Sequence, residues 1–319
     1  MGSEMCIRDR YFPYLRGRQF ELIALRELLE GKRISEKVIP IIEPVKPSST
    51  LLKTLETFVK NDREIAVVFN PTVGDFAKKL KEMREEDSKV ANEMYDLLTQ
   101  NDKVIKSYIM DRGILSEIKS EASKNKYLII NLNRDCLDDF LDAYEDTLPR
   151  FTLIPDDRAF RRVIPDSKVL FEDNFNKQSR NIDYIDNQDE FFSDSHLYYQ
   201  NENYVGFADY SVVGEEFNES GFAPVAVAIH VVYFDKKKEL RIHHFVSDSN
   251  EGIEDPGGKF GEALEKLVYW CDENNVQNTL GLQGFYDCYS SGKYPGLGTV
   301  KKYSIMHHIE LVSNFLGGK

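Results

Sequence analysis

The sequence predicts an α/β chain: a (β/α)8 TIM-like barrel with a β-hairpin insertion after the eighth strand and helices at the C-terminal end. Three observations lead there. Eight short, nearly continuous apolar runs recur before residue 210, the pattern of strands buried on both faces. Amphipathic segments separate them, as parallel strands require crossover connections. After Asp209 the pattern changes to two near-alternating runs on either side of Asp235-Lys-Lys-Lys238, which is a hairpin signal. An open doubly wound α/β sheet is the alternative. No glycine-rich first turn supports a dinucleotide-binding form of it.

The expected strands are Phe12–Leu15, Val38–Ile42, Ala66–Phe69, Lys106–Met110, Leu128–Ile130, Phe151–Ile154, Val169–Phe171 and Val205–Ala208. Phe20–Leu29 has helical spacing and ends at Gly31. Ser49 or Thr50 is placed to cap Leu51–Val59. The charged stretch Phe76–Leu98 is long enough for more than one helix. Leu115–Ala122 and Cys136–Tyr144, the latter behind Asp135 as a cap, follow. Phe160–Val163 is brief, and Asp189–Tyr199 reads as a helix before the last barrel strand. The hairpin spans residues 225–246, as Val225–Phe234 and Glu239–Val246. Gly258–Asn274 and Thr299–Leu316, with Thr299 as a cap, are the C-terminal helices.

The chain has 319 residues, enough for one large barrel domain. Hydrophobic residues make up 41% and charged residues 30%, a globular composition that excludes collagen-like and wholly disordered classes. No apolar run reaches the roughly 18 residues of a membrane span. The net charge of −13 disfavours direct nucleic-acid binding. The four cysteines, Cys6, Cys136, Cys271 and Cys288, form no CxxC pair and read as reduced thiols of a cytoplasmic protein. Residues 1–10 read either as a translated sequencing adapter, a contaminant of metagenomic assemblies, or as a disordered leader. Residues 11–319 then form a single barrel domain that includes the hairpin and the C-terminal helices.

In a barrel, residues just past the strand C-termini converge on one face. Those positions hold Arg16, Glu43, Asn70, Asp111, Asn131, Asn133, Asp156, Glu172, Asp173 and Asp209. The opposite ends hold bases, among them Lys37, Arg63, Lys106 and Arg150. Carboxylates sharing a cavity need a cation to stay ionised, and oxygen donors suit Mg²⁺ or Mn²⁺. Glu43, Asp111, Asp156 and Glu172 are the candidate metal ligands. Arg16, Arg18 and Arg112 are the candidate anion-binding residues, and metal with arginine suits phosphoester chemistry. The plainer reading is that strands end in polar residues and that acid–arginine neighbours form solvated pairs.

The histidines form a second set. His230 lies on the first hairpin strand, and His243 and His244 on the second. Side chains alternate along a strand, so only one of the latter two shares a face with His230. Glu172, His230 and His244 are the candidate catalytic residues, weighed against hydrogen-bonded sheet histidines. His307 and His308 read as structural and His196 as surface. The turn Asp255-Pro-Gly-Gly-Lys259 could hold an anion through free amides and Lys259, against ordinary turn and cap use. There is no HExxH, GxSxG or GxxxxGK[ST], so zincin, serine-hydrolase and P-loop chemistries lack support.

The opening Tyr11-Phe-Pro-Tyr-Leu-Arg-Gly-Arg-Gln-Phe-Glu-Leu-Ile-Ala-Leu25, followed by Ile39-Pro-Ile-Ile-Glu-Pro44, resembles the "beta protein" family of bacterial and phage proteins. Arg16 or Arg18, Glu21 and Glu43 stand at that family's basic and acidic positions. Ala228–Tyr233, Ile242–Phe245, Pro295–Lys302 and Ser304–Ile309 resemble the subgroup often encoded beside a small predicted nuclease. The resemblance carries no activity. It implies a mobile-element or phage-defence context, with that nuclease as a partner. The sequence therefore points to an acidic mouth binding a divalent metal and a phosphorylated or nucleotide-like ligand. The alternative is a non-catalytic scaffold or interaction module for a partner nuclease. Whether the chain is an enzyme is left open.

Overall fold

In a computed structural model that describes residues 9–120, 123–164, 166–218 and 225–318, the chain divides into two compact units. Among the described residues, the first comprises those up to Leu22, Ser35–Glu172 and Tyr198–Asp209, and the second comprises Ile23–Ile34, Asp173–Leu197 and those from Tyr210 onward.

The first unit is a closed barrel of eight parallel strands, interleaved along the chain with helices. Its strands are β1 (Arg10–Leu15), β2 (Ile41–Ile42), β3 (Ile65–Val68), β4 (Val104–Ile109), β5 (Leu128–Ile130), β6 (Phe151–Ile154), β7 (Lys168–Glu172) and, after β8 of the other unit, β9 (Gly206–Asp209). Along the chain up to β9 the helices are α1 (Gln19–Glu30), α2 (Ser49–Lys60), α3 (Phe76–Glu85), α4 (Lys89–Gln100), α5 (Leu115–Ser120), α6 (Leu137–Ala143), α7 (Arg158–Val163) and α8 (Ser195–Tyr198), of which most of α1 and α8 fall in the second unit. All eight expected barrel strands are present. β2 keeps only two paired residues because Pro40 has no N–H for the ladder, and an isolated bridge at Val38 continues the pairing. β1 closes the barrel on β9 with Arg10 opposite Gly206. A side chain at Gly206 would run into the Arg10 carbonyl, so glycine allows the two backbones to meet. Residues 1–8 lie outside the described residues, and the rest of the expected leader takes part in the fold. Arg10 opens β1, and Tyr199 Oη donates to Asp9 Oδ1 at 2.7 Å.

Two caps differ from expectation. Ser48 rather than Ser49 or Thr50 caps α2, its Oγ accepting from Leu51 N. Asn133 rather than Asp135 caps the short 3-10 turn ahead of α6, accepting from Asp135 N at 3.0 Å. The barrel interior is filled by rings from non-adjacent strands, Phe12 against Phe151 at 4.9 Å and Tyr14 against Phe171 at 5.3 Å, as a packed core requires.

The second unit carries an antiparallel sheet in the order β10 (Ala228–Phe234), β11 (Leu240–Val246), β8 (Asp189–Ser193). The hairpin is as expected. β8 is a correction, because Asp189–Ser193 was read as helix. Its Phe192 is buried and Phe191 is exposed, the alternation of a half-buried strand, and only Ser195–Tyr198 is helical. Three helices follow, α9 (Pro256–Glu273), α10 (Leu280–Ser291) and α11 (Leu297–Leu316). Ile229, Val231 and Phe245 on one sheet face pack with Phe260, Leu264 and Leu267 of α9. α11 starts two residues before Thr299, with Gly296 at the cap position. α10 was not anticipated. Thr279 caps it by accepting from Leu282 N, and Gly292 ends it in a left-handed conformation.

Candidate functional site

Arg16 and Glu43 meet inside the barrel. The β1–β2 register places them side by side, since Tyr14 and Leu15 pair with Ile41 and Ile42. Glu43 is fully buried. One of its oxygens accepts from Tyr14 Oη at 2.7 Å and from Arg16 Nη1. The other accepts from the Thr72 amide at 2.7 Å and the Thr72 hydroxyl at 2.8 Å. Four protein donors therefore occupy the carboxylate. Arg18 donates its backbone N–H to Glu21 at 3.2 Å. The basic and acidic residues of the opening motif thus form two local pairs.

The other expected mouth residues do not join this cluster. Glu172 sits opposite Asp209 in the β7–β9 register. Asp209 accepts from Tyr11 Oη at 2.9 Å, and the Tyr11 ring stacks on Phe207. By alternation that is the face opposite to Tyr14, Arg16 and Glu43. Burial and the Asp209 carboxylate together push the Tyr11 phenol well above its ordinary value. Asp111 is exposed and binds the amides of Gly113 and Ile114 at 2.6 and 3.0 Å. Arg112 is exposed. Asp156 pairs with Arg161 at 2.6 Å on the surface. Asn70 extends the barrel ladder, donating to Ile109 O at 2.7 Å and accepting from Ile109 N at 2.9 Å. Among the described residues, no three His, Cys, Asp or Glu side chains form a group that could hold a metal ion. The carboxylates expected to ligate Mg²⁺ or Mn²⁺ are thus not gathered.

The second unit does bring chemistry-bearing side chains together. His230 and His244 are cross-strand partners and share a face, as alternation requires. Their Nδ1 atoms are 2.7 Å apart. His244 Nε2 lies 3.2 Å from Glu190 Oε1, and Glu190 Oε2 accepts from Asn187 at 2.5 Å. This network fixes the tautomers. Glu190 can only accept, so His244 carries its proton on Nε2. His244 Nδ1 then accepts from His230 Nδ1–H, which leaves a lone pair on His230 Nε2. Desolvation, then His244 and Lys301, hold His230 well below the ordinary imidazole value. Desolvation also lowers His244, opposed by its bond to Glu190. Both rings are neutral at pH 7.

His230 opens on a cavity of about 220 Å³. Phe175 and Tyr184 form its aromatic side, with rings 5.1 and 4.7 Å from the His230 ring. Lys177, Lys301 and Ser304 supply polar groups, and no carboxylate is present among the described lining residues. Lys177 also pairs with Glu216 at 3.0 Å. A larger hollow of about 390 Å³ lies at the start of α9, lined by Asp255 and Glu265 among others. Asp255 there caps the helix through the Gly258 amide. Lys259, expected as an anion ligand, is buried and donates to the carbonyls of Val225 and Gly252, each at 2.7 Å.

The remaining histidines are structural. His243 faces the other side of the sheet, stacked on Trp270 at 4.4 Å and bonded to Asp189 at 3.2 Å. His307 donates to Val232 O at 2.7 Å and accepts from Thr279. His308 bonds Ser211 at 2.9 Å. His196 is buried rather than on the surface, bonded to Lys238 O and packed between Phe234 and Phe315. Sequence reasoning missed Glu190, Lys177, Tyr184 and Lys301. Glu190 was hidden by the helical reading of β8, and nothing local marks the others. No family model, curated protein or solved structure matches the chain. No helix among the described residues is long and apolar enough to cross a membrane.

Proposed function

We propose that the protein binds a small anionic ligand in the cavity beside the hairpin. The observation that carries this reading is the lining. In a chain of net charge −13, the cavity lining holds Lys301 and Lys177, the latter paired with Glu216 at 3.0 Å, and no carboxylate among its described lining residues. The first turns of α11 add the positive end of a helix dipole, through Leu297, Val300 and Lys301. A cavity of about 150 Å³ accepts benzene, so 220 Å³ suits a ligand of roughly ten heavy atoms and is small for a whole nucleotide. Phe175 and Tyr184 offer an apolar wall to the uncharged part of such a ligand. The "beta protein" resemblance supports a mobile-element or phage-defence setting, with a small nuclease as the partner.

The test is thermal unfolding of the full chain with acetate, benzoate and inorganic phosphate at constant ionic strength. A ligand at 100 times its dissociation constant adds about 2.7 kcal/mol. The expected result is an upward shift with at least one anion that is lost in Lys301→Gln. No shift with any anion would overturn the reading.

A further inference from the structure

We infer that the cavity selects an oxyanion that still carries a proton, of the phosphate type, and rejects sulfate, because the group His230 presents to it is a hydrogen-bond acceptor. This rests on the anion reading above and names its ligand class.

The argument is one of direction. The Glu190 carboxylate accepts from His244, and His244 accepts from His230, so each ring is held in one tautomer. The relay ends at His230 Nε2, which has no hydrogen-bond partner among the described residues and belongs to a ring lining the cavity. The charged and titratable groups facing His230 are Lys177, Tyr184, His244 and Lys301, with Glu216 paired to Lys177 and Glu190 behind His244. Desolvation, then His244 and Lys301, oppose a positive charge on the His230 ring. An entering anion meets lysine cations that attract it and an imidazole lone pair that attracts only a donor. Sulfate is fully deprotonated at neutral pH and sets an oxygen lone pair against the Nε2 lone pair. Inorganic phosphate keeps at least one P–OH at pH 7, which donates to Nε2 while its other oxygens meet the lysines. A site built around one hydrogen-bonding group rejects an analogue that lacks the matching group, because the site's own group is left unpaired. No covalent step is involved.

The experiment is calorimetric titration of the full chain with sodium phosphate and sodium sulfate at pH 7 and matched ionic strength. Wild type is expected to bind phosphate at least roughly ten-fold more tightly than sulfate. His230→Gln offers an amide that can donate or accept, so the two affinities should converge to within about three-fold. Glu190→Gln frees the direction of the relay from two bonds away and should also shrink the ratio. A merely structural role for Glu190 would not move that ratio. Equal affinities in wild type, or a ratio that survives both substitutions, would overturn the inference while leaving the anion cavity standing. Binding of neither anion would overturn both.

Discussion

Replacing Glu43 by Gln separates two accounts of the barrel interior. If Glu43 were one of several carboxylates held close together for a metal, neutralising it would relieve repulsion and stabilise the metal-free protein. The structure gives the opposite sign. Glu43 is fully buried and takes four hydrogen bonds, one of them from Arg16, whose side chain is 11% exposed. Glutamine keeps the volume but has a single acceptor oxygen, so either Arg16 or Thr72 loses its hydrogen bond to residue 43. Breaking a buried ion pair from one side costs about 3–5 kcal/mol, because the remaining charge stays desolvated. At ~2–4 °C per kcal/mol for a unit of this size, a loss of 3 kcal/mol lowers the thermal midpoint by roughly 6–12 °C. The assay is thermal or urea unfolding of wild type and Glu43→Gln in chelator. An unchanged or raised midpoint would refute the buried-pair account and return Glu43 to the metal ligands.

Three further outcomes are expected. All six histidines are lowered from the ordinary imidazole value, with His307 held by burial at about 4. Below about pH 6.5 the unfolded chain binds more protons than the folded one, so stability falls as pH drops toward 5, by roughly 2 kcal/mol for His307 alone. Urea midpoints that stay flat between pH 7 and 5 would contradict this. A side chain at Gly281 would collide with Tyr303 O and His307 N where α10 crosses α11, so Gly281→Ala should lose about 1–3 kcal/mol by urea unfolding. Burial raises the Cys271 thiol to about 12, so mass spectrometry after iodoacetamide at pH 8 should find Cys271 modified only in denatured protein.

The barrel was legible because each of its strands is a short apolar run, and a strand buried on both faces needs no more subtle signal. The hairpin was legible because alternation reports one buried face, and the same alternation correctly paired His230 with one of two adjacent histidines. β8 was not legible. Asp-Glu-Phe-Phe-Ser has too few residues to show a period, and its partner strand lies about fifty residues later. α10 was missed because Gly281 and Gly284, present for close approach to Tyr303, weaken its helical signal. The mouth failed for a geometric reason. A strand-end position does not say which face its side chain takes, and one residue of offset sends Glu172 and Glu43 to opposite sides. Arg16 and Glu43 meet because adjacent strands put them in register, and they meet as partners of each other. The His230 cavity was half legible, since its histidines follow from alternation and its lysines and aromatic wall come from distant segments.

The chain leaves the barrel after β7, contributes β8 to the sheet of the second unit, and returns to lay β9 between β7 and β1. On the ribosome this sets an order. β1 is made first and waits almost two hundred residues for its partner β9, with Arg10 pairing to Gly206. β8 emerges before either strand of the hairpin that it joins. A nascent chain stalled near Asp209 would therefore hold a complete set of barrel strands together with one orphan strand whose edges are open. Such edges invite pairing with other chains. Translation of the last hundred residues then acts as a protective step for the first two hundred, and shortened versions ending at the barrel's last strand should be prone to aggregate.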